Sequence, residues 1–366
     1  MHAISYYRPR DELPGVRLHV LRSAGPGRGA TAAGGMGGAS LQVARAAPPF
    51  ALRLINAVRY QRAGLRATVE SIAPDVFHAH FVVEHGFYGS FVGFHPYVVS
   101  AWGSDLFLAL RTPVGRLIAR RALGRADLVT ANDAALARRA VALGVAPERV
   151  AVVRLGVDPL FLSAGAPSVN LRPSGSEPLT VLSDRALERL YNVDVVIRAF
   201  AALRQQLPAA RLLVANDGSE RSRLEELAQR LGQGDSVRFL GRLDPQSLRR
   251  ALAEAQVYVS VPSSDSLALS TMEAMAVGAF PVVTDLPSQD GWVVDQVNGL
   301  RAPVRSAEAL TRALLRALTD ADLRRQAVAP NRARVEADGV LEKNMLLMER
   351  LYYRLAGRPL AGDAAI

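Results

Sequence analysis

The feature that most constrains this chain is an alternation. Short β-branched runs are separated by amphipathic helical patterns, in the order strand, turn, helix, strand, along almost the whole length. Consecutive strands joined by helices must lie parallel, and a parallel sheet has to be covered on both faces. The chain is thereby confined to the α/β class with doubly wound sheets. The clearest unit spans residues 257–285: an apolar run at 257–261, a polar turn at 262–266, a helical stretch closed by Gly278, and a second run at 280–283. Two carboxylates stand inside it, Asp265 in the turn and Glu273 eight residues later. Ligands of such sheets bind in the crevice beyond the carboxyl ends of the strands, which is where this turn falls.

The rhythm occurs twice. Runs at 75–80, 97–101, 128–131 and 150–155 read as strands, with helical patterns at 48–72, 86–94, 114–123 and 133–143. Further strands at 179–183, 211–215 and 237–240, with helices at 193–206, 221–231 and 246–255, lead into the 257–285 unit. Residues 2–7 and 16–21 read as two more strands. A Pro/Ser/Gly-rich stretch without periodicity, 164–178, reads as a linker. The expected organisation is a Rossmann-like domain at 1–163, the linker 164–178, a second Rossmann-like domain at 179–330 and a helical segment at 331–366. The Gly/Ala-rich stretch 23–40 wanders too far before any helix to cradle a phosphate, and reads as a flexible surface loop.

Composition removes several classes of chemistry. There is no cysteine, which excludes disulfides, thiolate nucleophiles and zinc ribbons. Lys343 is the only lysine and is followed by asparagine, so no Walker A loop exists. No G-x-G-x-x-G stands at a strand-to-helix turn, which argues against a dinucleotide oxidoreductase. The net charge of +10 comes almost wholly from arginine, reads as a coding bias, and gives no reason to expect nucleic acid as a partner. No charged-then-apolar leader opens the chain and no apolar run approaches the ~20 residues of a membrane span, so a cytoplasmic location is expected. The basic amphipathic stretches at 48–72 and 114–123 suit peripheral contact with an anionic membrane face, with a merely solvated face as the competing reading.

The candidate site residues each carry two readings. Glu273 in a sheet crevice can accept hydrogen bonds from sugar hydroxyls, yet Ser270-Thr271-Met272-Glu273 also fits the capping box of a helix start. Asp265 is either a ligand carboxylate or an ordinary turn residue. The amides near Leu267, Ala268 and Leu269 open a helix and present partial positive charge suited to a diphosphate. Arg185 and Arg189, after the first strand of the second domain, are fork-shaped phosphate ligands or solvated loop residues. His78, His80 and His85 lack the further ligands a metal needs, so no metal is expected. His80, at its strand end, reads better as a catalytic or substrate-contacting group. Trp102-Gly103-Ser104-Asp105 ends a strand as either a substrate-facing turn or a purely structural one.

Taken together these motifs resemble the GT-B glycosyltransferases, in particular the retaining group called family 4. The similarity runs through Arg185 with Tyr191-Asn192, the turn Asn216-Asp217-Gly218-Ser219, the strand Val237-Arg238-Phe239-Leu240-Gly241, and a D-x7-E version of the family's E-x7-E signature leading into Glu273-Ala274-Met275-Ala276. The first half is similar at His78-Ala79-His80, at Trp102-Gly103-Ser104-Asp105 and at Gly156-Val157-Asp158 with Phe161. The resemblance implies two Rossmann-like domains facing across a cleft and metal-independent, retaining transfer from a nucleotide-sugar co-substrate to a glycan or lipid-linked acceptor. It implies that Glu273 binds the donor ribose and Asp265 touches the transferred sugar. Arg185 and the backbone at Leu267, Ala268 and Leu269 would hold the diphosphate, with Gly241 near the base.

Four departures stand out. Asp265 replaces the usual glutamate, and Leu190 stands where the family has a lysine, with Arg189 beside it as a substitute. Trp102 occupies a common histidine position. The family's opening βα unit has no counterpart before His2, so a truncated start is expected. These departures motivate an alternative, a catalytically impaired GT-B remnant that binds or scaffolds. An epimerase on the same fold would need acid/base carboxylates that the sequence does not place.

Overall fold

The parallel pairing expected from the alternation runs through the computed structural model, which describes residues 2–5, 17–20, 55, 59, 64–163, 179–266 and 269–359. The stretch 23–40, the beginning of the helix expected at 48–72, the linker 164–178, and Leu267 and Ala268 lie outside the described residues. Two units emerge, Met1–Val153 with Met348–Ile366, and Arg154–Leu347.

In the first unit β1 (His2–Ser5) and β2 (Arg17–Val20) pair in parallel as a separate sheet. The main sheet is β3 (Phe77–His80), β4 (Tyr97–Ala101), β5 (Leu128–Ala131) and β6 (Val150–Val152), parallel and in sequence order. Every residue of β4 and β5 is buried, as a sheet covered on both faces requires. Helix α1 (Leu65–Ile72) is entered through Gly64 at φ 87, a left-handed start that interrupts the single helix expected over 48–72. The expected helix at 86–94 is instead a wide π-helical turn, Phe81–Gly86, followed by one short turn, Phe87–Gly89. Helix α2 (Pro113–Gly124) has proline at its first position, and its cap Thr112 accepts the Gly115 amide. A Cβ on Gly115 would sit 2.0 Å from the Ala109 carbonyl oxygen, so only glycine fits. Helix α3 (Ala134–Ala142) is capped by Asp133, which accepts from the Leu136 amide at 2.8 Å.

In the second unit, β7 (Thr180–Ser183), β8 (Arg211–Ala215), β9 (Val237–Gly241), β10 (Val257–Ser260), β11 (Phe280–Thr284) and β12 (Leu300–Ala302) form one parallel sheet in the order β12-β11-β10-β7-β8-β9. Strand β12, only three residues with a central arginine, carries too little apolar pattern to be read from sequence. Helices α4 (Val193–Leu203), α5 (Arg221–Arg230), α6 (Pro245–Glu254) and α7 (Leu269–Val277) connect the strands. They are followed by α8 (Ala307–Thr319), α9 (Ala321–Asp338) and α10 (Leu341–Leu355). Residues 156–157 belong to this unit: Val157 exchanges backbone hydrogen bonds with Gly339 and Leu341, and Gly156, at φ 87, lies where a Cβ would meet the Leu341 amide nitrogen at 2.6 Å. The last turns of α10, from Met348, pack their apolar side chains on Val98 and Leu128 of the first unit's own sheet.

Candidate functional site

The sheet of the second unit reverses at β7. From there the chain adds β8 and β9 on one side, then returns to lay β10 on the other, so the carboxyl ends of β7 and β10 flank a topological switch point. Arg185 follows β7 and Asp265 follows β10. Arg185 donates from Nη2 to Asp265 Oδ2 at 2.5 Å and from Nη1 to Ser270 Oγ at 3.1 Å. Its guanidinium lies over the Tyr191 ring, 4.3 Å from the centroid. Nε of Arg185 is buried and has no hydrogen-bond partner among the described residues. Burial opposes the guanidinium charge, but Asp265 and the neighbouring acids outweigh it and keep the group protonated.

The loops that carry these residues are laced together. Asn192, at φ 49, donates from Nδ2 to the Val261 carbonyl at 2.8 Å and to Ser263 Oγ at 2.9 Å. The Ser263 amide donates to the Leu190 carbonyl at 2.9 Å. On the other side of β7, Glu188 accepts from the Ser219 amide at 2.8 Å and from its hydroxyl at 2.6 Å. A Cβ on Gly218 would lie 2.4 Å from the Leu187 carbonyl oxygen, so this crossing of chains needs glycine.

Glu273 projects from α7 and makes no hydrogen bond or ion pair among the described residues. Burial, then the nearby carboxylates of Asp184 and Asp158, push its pKa up to about 8, with Arg185 pulling the other way. The capping-box reading does not hold. Leu269 is already helical, so Ser270 lies inside α7, and its hydroxyl serves Arg185 and Tyr258 instead of the Glu273 amide. Sequence reasoning also passed over Asp184, which accepts the Tyr258 hydroxyl at 2.8 Å and is buried. Its signal was available: an acid directly after a strand expected to be covered on both faces has to find a partner indoors.

Arg189 is not brought to this cluster. Its side chain is 78% exposed and faces Glu220 at 3.3 Å, an acid that also binds Arg223. Gly241 closes β9 at φ 70, with its carbonyl taken by the Asn216 amide at 2.5 Å. Leu269 is the first described residue of α7.

In the first unit the residues read from sequence gather at the ends of β3 and β4. The His80 ring lies 5.6 Å from Trp102 and 4.2 Å from His78, centroid to centroid. Desolvation among these rings, then His85, lowers the His80 pKa. Asp105 accepts the amides of Val82, Trp102 and Gly103 at 2.9, 3.1 and 2.8 Å. It therefore ties the turn after β4 to the turn after β3. Desolvation raises its pKa against the pull of those amides. Gly103, at φ 136, bends the backbone into reach, and Ser104 opens the helical turn Ser104–Phe107. His78 is held between Tyr352 Oη at 2.5 Å and Ser100 Oγ at 2.7 Å, and burial, followed by His80, lowers its pKa to about 3. Among the described residues no three His, Asp or Glu gather as a metal site.

The fold is that of GT-B proteins. Sucrose-phosphate synthase from Thermosynechococcus elongatus superposes with a TM-score of 0.71 at 21% identity, covering 95% of this chain and 85% of that one. HepE of Anabaena in complex with UDP superposes with a TM-score of 0.68 at 20% identity, covering 80% and 82%. Two family models fall one on each half: Glycosyltransferase Family 4 matches residues 14–160 and Glycosyl transferases group 1 matches residues 171–334. The chain belongs to the family 4 glycosyltransferases of GT-B fold. Among curated relatives, the D-inositol 3-phosphate glycosyltransferase of Nocardia farcinica is 34% identical over 203 residues, 51% of this chain and 44% of the relative. The amylovoran biosynthesis glycosyltransferase AmsK of Erwinia amylovora is 28% identical over 183 residues, 48% of this chain and 44% of the relative. The chain thus spans less than half the length of these curated relatives.

Proposed function

We propose that this chain transfers a sugar from a nucleotide-sugar donor to a glycan or lipid-linked acceptor, with retention at the anomeric carbon and without a metal ion. The observation that carries this reading is the convergence of Arg185, Asp265 and Glu273 at the switch point of the second sheet. Arg185, whose Nε–H has no hydrogen-bond partner among the described residues, suits a diphosphate. Glu273 suits a ribose: neutral below about pH 8, it can both donate to and accept from hydroxyls. Asp265 would meet the transferred sugar once the diphosphate draws Arg185 away, and Gly241 leaves room for the base. His80 with Trp102, Gly103, Ser104 and Asp105 would serve the acceptor side, His80 as the polar contact and Asp105 as the clamp of the turn.

In the reaction the bond from the anomeric carbon to the diphosphate oxygen breaks. An acceptor hydroxyl oxygen bonds that carbon on the same face, and its proton passes to the departing diphosphate. Preorganised positive charge at the leaving group lowers the barrier. The test is a thermal-shift and hydrolysis screen over UDP-, GDP- and ADP-sugars. Stabilisation with slow donor hydrolysis, abolished in Glu273→Ala, supports the enzyme. Binding without turnover favours the remnant that binds or scaffolds, and no binding refutes both.

A nucleotide-sugar substrate suits a cytoplasmic location, and no helix among the described residues is long and apolar enough to cross a membrane. Peripheral membrane contact is supported by α2, which exposes Val114 and Leu117 among Arg111, Arg116 and Arg120. Flotation with anionic but not neutral vesicles, lost in Leu117→Glu, is the expected result.

A further inference from the structure

We propose that Asp184 is a positioning residue of the donor site: through Tyr258 and Ser270 it orients the hydroxyl that holds Arg185, and it sets a buried negative charge near Glu273. The inference rests on the donor-site reading above and extends it to a residue outside the motifs that carried the resemblance.

The geometry is a single chain of contacts. Tyr258 Oη stands 2.8 Å from Asp184 Oδ1 and 2.7 Å from Ser270 Oγ. With one proton to give, the tyrosine donates to the carboxylate and receives the proton of Ser270. That leaves the Ser270 oxygen turned to accept from Arg185 Nη1, at 3.1 Å. A guanidinium N–H can only donate, so Ser270 accepts from Arg185, and while the one Tyr258 proton is held by Asp184 the Ser270 proton is directed to Tyr258. The carboxylate at 184 thus imposes the polarity of the whole sequence, and the Arg185 fork is left with one arm on Ser270 and the other on Asp265.

The surroundings show that the arrangement is built. Asp184 is 8% exposed, Tyr258 fully buried. The Asp184 carbonyl is itself held by Asn216 Nδ2 at 3.0 Å, from a residue at φ 94. A buried carboxylate raises the cost of its own ionisation, and desolvation does push the Asp184 pKa up, with Arg185 and the Tyr258 hydroxyl opposing. Such a group is expensive as mere filling. Burial raises the Glu273 pKa most, and the like charges of Asp184 and then Asp158 add to it against the pull of Arg185, so loss of the Asp184 charge should lower it.

Two experiments on the full chain decide the matter. Glu273 is followed by carbon NMR of labelled glutamate carboxyls in the wild type and in Asp184→Asn, with Glu273→Gln to assign the signal. The amide can still accept from Tyr258, so geometry is kept while the charge is lost, and the Glu273 midpoint should fall by about one pH unit or more. Affinity for UDP and for uridine is then measured for Ser270→Ala and Tyr258→Phe. UDP should weaken by about tenfold in both and uridine should not change, because only the diphosphate meets Arg185. An unmoved Glu273 midpoint in Asp184→Asn overturns the charge placement. Unchanged UDP affinity in Ser270→Ala and Tyr258→Phe, with only a lowered Tm, reduces the chain to structural support and overturns the positioning role. If Asp184→Asn does not fold, the two hydroxyl variants still decide. Failure of the wild type to bind any nucleoside diphosphate refutes the donor-site reading instead, and the ligand-free titration separates that outcome from failure of the inference.

Discussion

The two sheets of this protein end in polar clusters of opposite temper. In the first unit the half-buried acid, Asp105, is satisfied by three backbone amides, and the half-buried His78 is bonded at both ring nitrogens. In the second unit Glu273 has no partner among the described residues, Arg185 keeps an unpaired Nε–H, and three acids crowd one arginine. Groups bonded internally, as Asp105 and His78 are, hold a shape. A cluster with groups left over is prepared for something from outside, since buried polar atoms are seldom left unpaired without a reason.

Replacing Asp105 by alanine should have the largest effect. It orphans three amides at once and should cost about 3 kcal/mol or more, read as a clear drop in Tm or in the urea midpoint, with affinity for UDP unchanged. An Asp105→Ala protein that keeps its Tm but loses UDP would erase the contrast. Arg185→Ala should differ in kind: UDP affinity falls by about 30-fold or more, and Tm falls with it, since Asp184, Asp265 and Glu273 lose the charge that offsets their burial.

The clusters should also give stability opposite dependences on pH. His78, with a folded pKa of about 3 against an ordinary 6.5, binds fewer protons folded than unfolded. Its contribution is complete above pH 6.5 and is lost as pH falls toward 3. Glu273, with a folded pKa of about 8 against an ordinary 4.5, binds more protons folded, so its contribution is complete below pH 4.5 and is lost as pH rises through about 8. His78→Gln should flatten the acid side of the stability curve and Glu273→Gln the alkaline side. An exchange of these outcomes would contradict the assignment of the two burials. The smallest effect is expected at Arg189, whose side chain is mostly solvated and whose partner Glu220 keeps Arg223: Arg189→Ala should leave UDP affinity within about twofold.

Much of this was readable before any coordinate. The runs ending at His80, Ala101, Ala131 and Ser183 are strands because they are continuous, short and bounded by turn residues. The carboxylate pair Asp265 and Glu273 could be located from the strand-turn-helix order alone. What escaped depends on partners distant in sequence. Ser270 resembles an N-cap locally, and only the Arg185 guanidinium, 85 residues earlier, shows where its hydroxyl is used. Arg189 looked equal to Arg185 until Glu220 claimed it, and His78 meets Tyr352 across 274 residues. Local spacing describes the backbone; charge pairing across a fold does not follow from it.

The lacing of the loops after β7, β8 and β10 through Asn192, Glu188 and Ser219 has a thermodynamic consequence. Chain that is already immobile when a nucleotide arrives loses little conformational entropy on meeting it. Calorimetry of UDP binding should therefore show an entropy term closer to rigid docking than to coupled folding, and opening the laces, as in Asn192→Ala, should convert part of the affinity into an ordering penalty that grows with temperature.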